Sequence, residues 1–124
     1  MTRNLLVLTA VLEAATGFGL LAMPVMVVSL LLGASLDAPG ALVIARVTGA
    51  AMLSLGLACW LVRDDGRTRP GRAIVTAMLV YNVIVAAVLA YAGVMLDLTG
   101  IGLGPAAGAH TVLAVWCAAS LRTA

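Results

Sequence analysis

Apolar residues run along this chain in four long stretches, from about Leu5 to Leu32, Ala41 to Val62, Ala73 to Leu96 and Pro105 to Leu121. The breaks between them, LGASLDAPG, RDDGRTRPGR and DLTGIGLGPAAG, hold the Gly, Pro and Asp residues that interrupt helices, together with most of the charge. A helix that crosses a bilayer needs about 17 to 25 mostly apolar residues, because every backbone group must find its partner inside the helix once water is gone. The pattern therefore predicts an all-α integral membrane protein. Residues 1–124 would form a single four-helix bundle with four transmembrane helices. The first stretch would extend about 42 Å as a helix against a hydrocarbon layer of roughly 30 Å, so it is expected to tilt or to bend at Pro24.

Composition agrees with this pattern and removes the alternative. Hydrophobic residues make up 64% and charged residues 10% of the 124 positions, whereas soluble domains carry about 25% charged residues. A chain this short has too little interior to hide so much apolar surface from water.

The arginines set an orientation. Arg3, Arg63, Arg67, Arg69, Arg72 and Arg122 fall on one side if the chain crosses four times, and the opposite breaks carry only Asp37 and Asp97. Short basic loops stay in the cytoplasm, so both termini are expected there. The absence of lysine beside abundant Ala, Val, Leu and Arg points to the inner membrane of a bacterium. The first apolar run extends well beyond the roughly 7 to 15 residues of a signal-peptide core, which argues for a retained helix. The arginines of RDDGRTRPGR are attracted to anionic lipid. Nucleic acid is not an expected partner, since that loop is short and has no aromatic platform.

Cys59 and Cys117 each adjoin a tryptophan, Trp60 and Trp116, just before a basic terminus. The tryptophans suit an interfacial belt. The thiols would lie near a reducing cytoplasm, where a stable disulfide is not expected.

Candidate chemistry rests on residues that a bilayer excludes, one in each apolar stretch: Glu13, Arg46, Asn82 and His110. At 1.5 Å per residue, Glu13 lies about 15 Å from Arg3, Asn82 about 15 Å from Arg72 and His110 about 18 Å from Arg122, so these three share a layer. Arg46, about 25 Å from Arg63, lies nearer the other face, where it can snorkel toward headgroups or toward Asp37 and Asp97. Small residues at helical spacing flank each of the four, as in Ala106, His110, Ala114 and Ala118, and such stripes mark contacts between membrane helices. A Glu/His pair in a low-dielectric layer can exchange protons near neutral pH. Asn82, Tyr81, Thr9 and Thr16 supply amide and hydroxyl groups that can orient the pair or hold a polar solute.

No metal-ligand pair, phosphate loop or nucleophile triad is present. His110 can supply one axial ligand to haem, and a symmetric dimer could supply two. With Glu13 in the first membrane helix, the chain resembles the small multidrug-resistance exporters, in which such a glutamate exchanges protons for cationic drugs. It departs from them at Arg46, at His110 and in lacking aromatic residues around the acid. The stretch from Arg46 to Trp60, with Tyr81, Asn82 and His110, is similar to small bacterial four-helix membrane proteins without an assigned activity. Two functions follow as expectations. One is a proton-responsive transporter or binding protein for a small solute, working as a homo-oligomer through Glu13, Asn82 and His110. The other is a non-catalytic accessory or assembly subunit of a larger membrane complex.

Overall fold

The computed structural model describes residues 1–122. The chain forms five helices, α1 (Thr2–Ala22), α2 (Pro24–Leu32), α3 (Pro39–Leu61), α4 (Arg69–Met95) and α5 (Leu103–Arg122). Of these, α1, α3 and α4 are long and apolar enough to cross a membrane. That is compatible with a multi-pass membrane protein, but it corrects the expectation of four transmembrane helices and, with it, the placement of both termini in the cytoplasm that rested on four crossings.

Two physical reasons underlie the correction. The run from Leu5 to Leu32 is broken rather than merely bent. Met23 leaves helical geometry at φ −137°, ψ 57°, and Pro24, which has no N–H to continue the ladder, begins α2. At the other end of the chain, α5 spends its positions on Gly104, Pro105, Gly108, His110 and several alanines, and it falls short of the apolarity of the other long helices.

Local signals place the ends of α3 and α4 a few residues from the apolar boundaries. Pro39 occupies the first turn of α3, where its missing N–H costs nothing. The Thr68 hydroxyl caps α4 by accepting the Gly71 N–H at 3.3 Å, and Pro70 follows in the first turn.

The helices associate mainly in two pairs, α1 with α3 and α4 with α5. The first pair meets almost backbone to backbone. A Cβ added to Gly17 would stand 2.6 Å from the Gly49 carbonyl oxygen, and one added to Gly56 would stand 2.9 Å from that of Ala10. Such close crossings are how membrane helices gain dispersion contact when no hydrophobic effect drives them together. The two pairs share a core of Leu5, Leu6, Ala10, Cys59, Val75, Met78, Leu113 and Cys117. Both thiols are thus sealed in the protein interior.

One end of the molecule gathers arginines. Arg3 Nε lies 2.7 Å from Asp64 Oδ1 and Arg63 Nε 3.5 Å from Asp64 Oδ2, while the Arg63 guanidinium covers the Trp60 ring at 4.2 Å. Arg72 Nη2 donates to the Leu121 carbonyl at 3.4 Å, which brings the end of α5 to the same place. The opposite end is closed by backbone: Gly33 ends α2 in the left-handed region at φ 69°, and the Gly102 N–H donates to the Leu30 carbonyl at 2.9 Å. A second, smaller core of Leu89, Ala92 and Leu103 lies toward that end.

Candidate functional site: a buried polar layer

Midway along the helices, the core turns polar. The Tyr81 hydroxyl of α4 donates to Glu13 Oε2 of α1 at 3.1 Å. Asn82, the next residue of α4, donates from Nδ2 to the Met78 carbonyl at 2.7 Å and presents Oδ1 to His110 Nδ1 of α5 at 2.7 Å. The Tyr81 and His110 rings meet edge to face with centroids 5.6 Å apart. Three helices therefore contribute to one connected cluster. Glu13 is 3% exposed and Asn82 0% exposed.

The sequence folds this way because each polar residue lies on the packed face of its helix. Glu13 shares its face with Thr9, Ala10 and Gly17, all buried. On α4, Val75, Met78 and Asn82 form one buried stripe. A carboxyl and an amide enclosed this fully must find hydrogen-bond partners, since an unmet polar group in an apolar medium costs about 1 to 3 kcal/mol.

The partners also fix the histidine tautomer. The Met78 carbonyl can only accept, so the Asn82 amide nitrogen faces it and Oδ1 faces the imidazole. His110 Nδ1 therefore carries the hydrogen, and in the neutral ring Nε2 keeps its lone pair. That nitrogen can accept a proton, or it can serve as a single axial ligand of the kind haem requires. Among the described residues no group of three or more His, Cys, Asp or Glu is arranged to hold a metal ion.

Of the residues singled out in the sequence, Glu13, Tyr81, Asn82 and His110 come together, whereas Thr16 and Arg46 do not. Thr16 is exposed on α1, one residue before the buried Gly17. Arg46 is exposed on α3 and lines a groove beside the α1–α2 break. It makes no ion pair with Glu13, Asp37 or Asp97 among the described residues; the Asp37 carboxylate instead accepts from the Ser35 hydroxyl.

Two further hydroxyls belong to the core, Thr9 on the Glu13 face of α1 and Ser120 on α5, each 1% exposed and without a hydrogen-bond partner. Other helical hydroxyls, those of Thr48, Ser54, Thr76 and Thr111, bond back to the carbonyl four residues earlier. Only the burial of Ser120 distinguishes it, and nothing in its local sequence signals that.

Comparison with protein-family models, curated proteins and solved structures found no match.

Proposed function

We propose that this protein is a proton-responsive transporter or binding protein for a small solute, with Glu13 and His110 as the groups that gain and lose protons. The observation that carries the reading is the hydrogen bond from Tyr81 to Glu13, which ties the α1–α3 pair to the α4–α5 pair through a carboxyl sealed in the core. The strength of a hydroxyl-to-carboxyl bond depends on whether the acceptor is ionised. Protonation of Glu13 alters that link, and with it the seating of one helix pair on the other. Asn82 holds His110 in a fixed tautomer, with Nε2 free to take a proton.

The proposed setting is a bacterial inner membrane, which the lysine-free, arginine-rich composition supports. The proposed working form is a homo-oligomer.

The test compares wild-type protein with Glu13→Gln in vesicles loaded with a pH-sensitive dye, after a step in external pH. Tryptophan emission and internal pH are followed together. Wild-type protein gives a pH-dependent change in both, and the variant, with unchanged helix content, loses both. Identical responses from the two proteins would sink the proposal.

A second reading, an accessory subunit of a larger membrane complex, is favoured by a different observation. Gly104 and Gly108 lie one turn apart on the exposed side of α5, and a Cβ at either meets nothing within 4 Å. A helix of limited apolarity with an open glycine ridge is suited to close contact with another helix. Co-purification of a stoichiometric second polypeptide, with no pH response in the isolated chain, would favour this reading over the first.

A further inference from the structure

The break between α1 and α2 interrupts the backbone inside an apolar run. Pro24 has no N–H, the Val27 N–H donates to the Met23 carbonyl at 3.1 Å, and the Val25 and Met26 N–H groups have no carbonyl upstream within their own helix. The break borders an open groove of about 600 Å³, lined by Met23, Pro24, Val25 and Ser29 on one side and by Leu42 and Arg46 of α3 on the other.

Arg46 carries a permanent positive charge about 10 Å along α3 from Pro39. Its charge is not compensated within the chain: among the described residues its guanidinium has no carboxylate partner, and the ion pairs made by Arg3 and Arg63 lie at the opposite end. Charged groups inside membrane proteins are ordinarily paired or face a polar cavity. Side chains lean toward the N-terminus of their helix, so Arg46 is inclined toward the Pro39 end of α3.

We propose that this groove is a binding site for a phosphate-type anion, a phosphomonoester or phosphodiester. Arg46 forks onto two of its oxygens, and the Val25 and Met26 N–H groups at the start of α2, with the Ser29 hydroxyl, face the others. The planar guanidinium matches this geometry, and broken membrane helices aim their N-terminal halves at anionic groups in the same manner. The phosphate can come from a lipid headgroup or from solution. The site is separate from the Glu13 layer and does not depend on the function proposed for it.

The test is native mass spectrometry and thermal unfolding of the full chain in mild detergent. Phosphatidylglycerol and inorganic phosphate are added separately to wild type, Arg46→Gln, Arg46→Lys and, as a control at the other end, Arg67→Gln. Wild type and Arg67→Gln are expected to retain bound phospholipid, and Arg46→Gln to lose affinity about tenfold or more. Arg46→Lys keeps the charge without the fork and falls between them, and it carries the test should the glutamine variant fail to fold. Stabilisation of wild type by inorganic phosphate, lost at Arg46→Gln, identifies a site that takes the free anion. Retention of phospholipid without any effect of inorganic phosphate identifies the headgroup as the source. If position 46 variants bind phospholipid as wild type does and phosphate stabilises none of them differently, the proposal is overturned.

Discussion

A methyl group added at Gly17 has nowhere to go. Its Cβ would lie 2.6 Å from the Gly49 carbonyl oxygen and 2.9 Å from the Leu53 backbone nitrogen, and neither atom can swing aside as a side-chain tip does. Relieving the first contact to an ordinary carbon–oxygen separation of about 3.3 Å moves α1 and α3 apart by roughly 0.7 Å. A gap of that size forfeits about a quarter to a half of the dispersion attraction of the atoms on either side. Overpacking of this kind costs about 1 to 3 kcal/mol.

Alanine also favours a helix over glycine by about 1 kcal/mol, which partly hides the effect in a single variant. Gly108→Ala supplies the correction, since a Cβ there meets nothing within 4 Å and the substitution changes helix preference alone. The difference between Gly17→Ala and Gly108→Ala therefore isolates the contact between α1 and α3, with Gly17→Ala the less stable by about 1 to 3 kcal/mol. Reversible unfolding in mixed micelles, followed by tryptophan emission, measures it. Equal stability of the two variants would show that α1 and α3 are not in backbone contact, and the account of this pair would fail.

Two other substitutions probe the rest of the fold. Asn82→Ala removes the acceptor of the His110 Nδ1 hydrogen and leaves the half-buried imidazole without its partner, which should destabilise the protein by about 1 kcal/mol in the same unfolding assay. Asn82→Asp, which preserves an acceptor at that atom, should recover part of the loss if the protein folds. Thr68→Ala deletes the cap of α4 and is expected to cost about 1 kcal/mol; hydrogen exchange should show the loss confined to the first turn of α4.

Much of the polar layer was legible in the chain. Glu13, Asn82 and His110 stand out because lipid excludes them, and equal spacing from basic helix ends puts them at one depth, since the rise per residue of a helix is constant. Their pairing was not legible, because it depends on how the helices are rotated. Thr16 shows the difference. It lies three residues from Glu13, close enough in the helical repeat to share its face, yet the tight Gly17 contact turns α1 so that Thr16 points outward. The break at Met23 was only partly legible: Pro24 announces a lost hydrogen bond, but whether a helix bends or separates depends on the packing around it.

By itself, the sequence determined that the protein is helical and apolar enough for a multi-pass membrane protein, since both follow from local composition; the expected count of four crossings did not hold, because three of the helices are long and apolar enough to cross a membrane. It also carried the position of six of the seven arginines, all but Arg46, near helix ends. Tertiary structure alone decided that the apolar runs become five helices arranged as two close pairs. It also decided that Tyr81 meets Glu13 while Arg46 stands apart at a groove. These outcomes turn on helix rotation and backbone approach, which contacts between residues distant in sequence set and no local pattern encodes.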